Sequence, residues 1–65
     1  MNAAQRRESI LKRLSGAEAP VSASALAALL GVSRQIVVGD VALLRAGGAQ
    51  IDATPRGYQD RKSVV

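Results

Sequence analysis

Apolar residues recur at helical spacing along three stretches of the chain, and then the period changes. Ala3, Arg7, Ile10 and Leu14 mark one line at steps of four, three and four, widened by Leu11. Residues 3–15 are therefore predicted as an amphipathic helix. Arg6, Glu8, Lys12 and Arg13 fall off that line, and Arg6, Arg7, Lys12 and Arg13 read as a solvated face rather than a binding patch. Gly16 is the expected stop, since glycine accepts the left-handed conformation of a C-terminal cap. Ala17 to Pro20 reads as a connector, and the lone β-branched Val21 suits a single bridge in a small sheet. Ser22 or Ser24 can cap a second, short helix, with Leu26, Ala27 and Leu30 on one side. Gly31 breaks it, and Ser33 offers the next cap. A third helix is predicted from Arg34 to about Ala46, with Val37, Val41 and Leu44 inward and Gly47-Gly48 ending it.

Beyond the paired glycines, Gln50-Ile51-Asp52-Ala53 alternates polar and apolar, as a half-exposed strand does. Thr54-Pro55-Arg56-Gly57 is a turn, with proline presetting one φ and glycine accepting a positive one. Tyr58 starts the returning strand, and Met1–Asn2 and Asp60–Val65 read as frayed flanks or cut points rather than domains. The fold class expected is mainly α with a small β-hairpin. The order is that of a winged helix-turn-helix, three helices with a two- or three-stranded antiparallel wing.

The informative segment is Leu26 to Leu44. Gly31-Val32-Ser33 is the short, glycine-containing turn of a helix-turn-helix, whose helices cross at roughly 90–120°. Ala27, one turn before Gly31, keeps the second helix close to the third; Val32 plugs the corner; Val37 faces back into the core. With Val37, Val41 and Leu44 inward, Arg34, Gln35, Ile36, Val38 and Gly39 are left on the outer face near the helix start. A recognition helix presents its N-terminal residues to base edges in the major groove. Arginine can pair bidentately with guanine and glutamine with adenine, and apolar groups meet thymine methyls. Ile36 and Val38, odd on a solvated face, fit the last of these. Arg56, on the stiff turn, suits a phosphate or the minor groove. Asp40 is read as a helix-surface ion-pair residue or a local brace for a basic side chain.

Composition narrows the chemistry. The 65 residues carry nine Lys and Arg against five Asp and Glu, a formal charge of +4, with no Cys, His, Phe or Trp. No disulfide or thiolate metal site is possible without cysteine, and the commonest general base and metal ligand is missing with histidine. Ser9, Ser15 and Ser22 have no histidine to activate them, and a metal between Asp52 and Asp60 would be accidental. No enzyme is expected. No apolar run approaches the roughly 20 residues of a membrane-spanning helix, and the polar start shows no secretory signal. The expectation is a soluble cytoplasmic module with an anionic partner. The charge is spread evenly over both halves, so it does not locate a binding face.

Arg6 to Tyr58 resembles the winged helix-turn-helix of bacterial regulators such as the biotin repressor-ligase and DeoR-type repressors. The runs VSRQIVVGDVALLRAGG and ATPRGY resemble most closely the DNA-binding domain of the niacin-responsive transcription repressors, the NiaR or YrxA family. That resemblance implies sequence-specific binding of double-stranded DNA by a bacterial repressor of NAD biosynthesis or niacin uptake genes. Carried over, its contact surface falls on Ser33, Arg34, Gln35, Ile36, Val38, Gly39 and Arg56. In the family a second, C-terminal domain with three histidines binds metal and nicotinic acid. Residues 1–65 are therefore expected to be a single DNA-binding domain with its core at about 3–60, without that effector domain and without a cofactor of its own. The isolated domain is expected to be monomeric, and a full-length protein homodimeric and nucleoid-associated when bound. The sequence departs from the family pattern at Gly39, where a longer polar residue such as glutamine is expected. Asp52 and Gln59-Asp60 also make the wing strands more polar than the pattern. The rival expectation is a winged-helix protein-interaction module, motivated by Leu29, Ile36 and Val38.

Overall fold

A computed structural model of the protein describes residues 2–61. Helices α1 (Ala3–Gly16), α2 (Ala23–Leu30) and α3 (Arg34–Ala46) are followed by strands β1 (Ile51–Thr54) and β2 (Gly57–Asp60). The strands pair antiparallel, Ile51 with Asp60, Asp52 with Gln59, Ala53 with Tyr58 and Thr54 with Gly57. An isolated bridge joins Val21 to Tyr58, so the sheet has two strands and one added rung.

Each helix starts on a side-chain cap. Asn2 accepts from the Gln5 amide while Gln5 returns a bond to the Asn2 amide, a capping box. Asn2 is thus the N-cap of α1 and not the frayed flank expected. Ser22, not Ser24, caps α2 through the Ala25 amide, and Ser33 caps α3 through the Ile36 amide. At the other end of α1 the expectation differs from the structure. Gly16 lies within the helix, and the cap is Ala17 in an extended conformation, its amide bonded to the Leu14 carbonyl. No left-handed residue is needed there, because that bond closes the last turn.

The core is Ile10 and Leu14 from α1, Ala23, Leu26 and Ala27 from α2, Val37 and Val41 from α3, and Ile51 from β1. Leu11, Val21, Leu30, Val32, Leu44, Ala49 and Tyr58 pack around it, half-buried. Asp40 pairs with basic side chains, as expected, but its place is corrected. It is not on the surface: it is 4% exposed. Arg6 donates to both of its oxygens, through Nε and, at 3.1 Å, through a terminal nitrogen. Arg7 stands 3.7 Å away. Arg6 and Arg7 are accordingly not a solvated face. Burying a carboxylate is costly unless it is paired and hydrogen-bonded, and this fork supplies both. The hydrogen bond to Asp40 raises the Arg6 pKa above the ordinary arginine value. The pair ties α1 to the middle of α3.

Candidate nucleic-acid interface

Gly31 closes α2 at φ +68°, and the Val32 amide reaches back to the Ala27 carbonyl at 3.0 Å. That reach-back bond is the mark of a Schellman turn. The chain then turns through 106° between the α2 and α3 axes, inside the range of a helix-turn-helix. The Ser33 cap fixes the first turn of α3 as it leaves this corner.

The sequence-derived surface residues are all where a ligand can reach them. Ser33, Arg34, Gln35, Ile36, Val38, Gly39 and Arg56 are exposed, while Val37, Asp40 and Val41 of the same helix are buried. At about 100° per residue, Gln35 and Gly39 form the outer line of α3. Arg34 and Val38 fall on one flank and Ile36 on the other. The flank with Arg34 and Val38 faces the wing, and a cleft runs there between Ser22–Ser24, α3 and residues Ala53–Tyr58.

The wing tip is held in place. The Thr54 hydroxyl donates to the Gly57 carbonyl at 2.8 Å and accepts from the Arg56 amide at 3.2 Å. The strand bounds are one residue later than expected at β1, and Gly57 already pairs in β2. Asp60 is a strand residue, not a flank. Arg61 bonds Gln50 through its amide and pairs with Asp52 at 2.7 Å, which raises its pKa above the usual arginine value. The polar wing strands are therefore linked across the sheet. Met1 and residues 62–65 of the expected flanks lie outside the described residues.

Ion pairing sorts the cations that total charge did not. Among the described residues, Arg6 and Arg7 share Asp40, Lys12 meets Glu8, and Arg61 meets Asp52. Arg13, Arg34, Arg45 and Arg56 have no carboxylate partner among these residues, and of these four Arg34 and Arg56 line the cleft between α3 and the wing. Two unneutralised guanidiniums beside an exposed helix start make a surface for an anionic, grooved partner.

Comparison with known proteins agrees with this geometry. A family model described as an HTH domain matches residues 6–59. The chain belongs to this helix-turn-helix family. It is 50% identical over 54 residues to the probable transcription repressor NiaR of Thermotoga maritima, covering 83% of this chain and 31% of that protein. It is 40% identical over 55 residues to the transcription repressor NadR of Bacillus subtilis, covering 85% of this chain and 31% of that one. The chain thus spans about a third of the length of the curated relatives it matches.

Within this HTH domain Gly39 has no steric reason to be glycine. A Cβ there meets nothing within 4 Å, and its φ is not positive. Glycine in a helix interior costs about 0.5–1 kcal/mol relative to alanine. Gly39→Gln is expected to raise the melting temperature and to hold or raise DNA affinity, read by thermal melting and a binding titration on the same variant. A higher melting point with lost binding would mean that a DNA surface approaches the backbone at residue 39.

Proposed function

We propose that this domain binds double-stranded DNA sequence-specifically, with α3 in the major groove and the Arg56 wing on the adjacent backbone. The carrying observation is the exposed start of α3 set at 106° from α2, beside two unpaired arginines. Ser33, Arg34, Gln35, Ile36, Val38 and Gly39 form the reading surface. Ser33 spends its oxygen on the α3 cap, but its hydroxyl proton remains available to a phosphate. The domain works in a bacterial transcription repressor in the cytoplasm and does no chemistry on its ligand. The likeness to the two curated repressors supports that role, and the resemblance to niacin-responsive repressors supports NAD biosynthesis or niacin uptake genes as targets. Residues 1–65 are the DNA-contacting domain. Effector sensing is not assigned to them, and high affinity comes from a homodimer reading two half-sites about one helical turn or a multiple apart.

Salt and substitution test this together. A lone domain should bind weakly, near the non-specific range of about 10⁻⁴–10⁻⁶ M, and its binding should fall steeply with salt as counterions are released. Arg34→Ala or Gln35→Ala is expected to cost about 1–3 kcal/mol on the preferred duplex and little on random DNA. Arg56→Ala should weaken both alike and flatten the salt slope by about one unit. Unchanged site preference in Gln35→Ala would place the reading face elsewhere. Salt-independent binding to a protein partner, with none to DNA, would favour an interaction module built on Leu29, which is 55% exposed.

A further inference from the structure

We infer that the half-site read by α3 carries thymines on both strands, one against Ile36 and one against Val38. This rests on the reading of α3 as a major-groove helix and specifies what that helix recognises. Ile36 and Val38 are 42% and 43% exposed, large apolar side chains that the fold does not cover. Val37 between them is 0% exposed and anchors the helix to the core. Residues two apart on an α-helix point about 200° apart around its axis. With Val37 turned inward, Ile36 and Val38 therefore stand on opposite flanks of the outer line. Only Val38 borders the wing cleft; Ile36 is not among the residues lining it.

The major groove is about 12 Å wide and a helix with side chains about 10–12 Å across, so both flanks meet the groove. The apolar group displayed there is the thymine C5-methyl. It projects on the side of its own strand, so flanks that face opposite strands meet methyls from opposite strands. Both side chains are β-branched and stiff at χ1, so their methyl groups are fixed before binding. Cytosine at either place has only hydrogen at C5, so the apolar side chain loses the methyl it would pack against. Gln35, on the outer line between the flanks, adds an adenine-compatible amide.

The test uses the 65-residue chain to select a preferred duplex from a random pool. Each thymine of that duplex is then replaced singly by deoxyuridine, which pairs identically and lacks only the methyl. One thymine on each strand should weaken binding about fourfold when replaced, the equivalent of about 0.8 kcal/mol for one methyl returned to water. Replacing both should cost more than tenfold. Ile36→Ala should erase the sensitivity on one strand and Val38→Ala that on the other, with thermal melts confirming that both variants remain folded. A preferred duplex with no deoxyuridine-sensitive thymine, with sensitivity confined to one strand, or with sensitivity indifferent to both substitutions overturns the inference and leaves the placement of α3 standing. A pool that yields no preferred sequence overturns that placement and the inference with it.

Discussion

Gly57→Ala is expected to unseat the wing. A Cβ at residue 57 would lie 2.5 Å from both the carbonyl carbon and oxygen of Val21 and 2.6 Å from the Ser22 nitrogen. All three are backbone atoms, so no side chain can swing aside. Val21 cannot retreat without losing its two bonds to Tyr58, each 2.8 Å. Residue 57 also sits at φ +140°, a conformation that a side chain resists. Such backbone conformations cost about 1–3 kcal/mol in a non-glycine residue before any clash is added. In a domain of this size each kcal/mol lowers the melting point by about 4–8 °C. The variant should melt well below the parent, lose the amide signature of the Val21–Tyr58 bridge, and bind DNA as weakly as Arg56→Ala or worse. Parent-like melting with the bridge intact would mean that the wing does not pack where described.

Leu26→Ala should do more, because it removes the centre of the core. Leu26 is fully buried at 0% exposure, among Ile10, Leu14, Val37 and Val41. Truncating a buried leucine costs about 2–5 kcal/mol, part transfer and part cavity. A protein of 65 residues has only about 3–10 kcal/mol in total, at 0.05–0.15 per residue. The variant should be largely unfolded near 37 °C by circular dichroism. Leu29→Ala, three residues on and 55% exposed, should melt close to the parent. If the two variants melted alike, the assignment of α2's buried face would fail.

The three helices were legible because their apolar spacing and their Ser and Gly punctuation act locally. Ser22, Ser33 and Gly31 bond to neighbours a few residues away, which spacing reveals. The exposed face of α3 was legible by subtraction: with Val37 and Val41 pointing inward, the exposed remainder follows. Asp40 was legible only as an ion-pairing residue; its burial and its partners were not. A carboxylate in a helix is normally solvated, and its partners Arg6 and Arg7 lie far upstream, on another helix. Only the packing of α1 on α3 brings them together. The solvated-face reading of Arg6 failed for the same reason. The capping box at Asn2 and Gln5 is local, and its signal is an asparagine three residues before a glutamine. The Thr54 hydroxyl had no such signal, since threonine in a turn bonds in several ways.

The attachment of the wing runs through the main chain. Val21 and Tyr58 exchange amide and carbonyl bonds in both directions, and the seat beside them requires only that residue 57 have no side chain. The tip residues Pro55 and Arg56 are exposed and take no part in that attachment beyond the Arg56 amide. Fastening and grip are therefore set by different atoms. A lineage of duplicated copies can rewrite positions 55 and 56, and so tune how firmly the wing holds its ligand, without renegotiating how the hairpin is fastened.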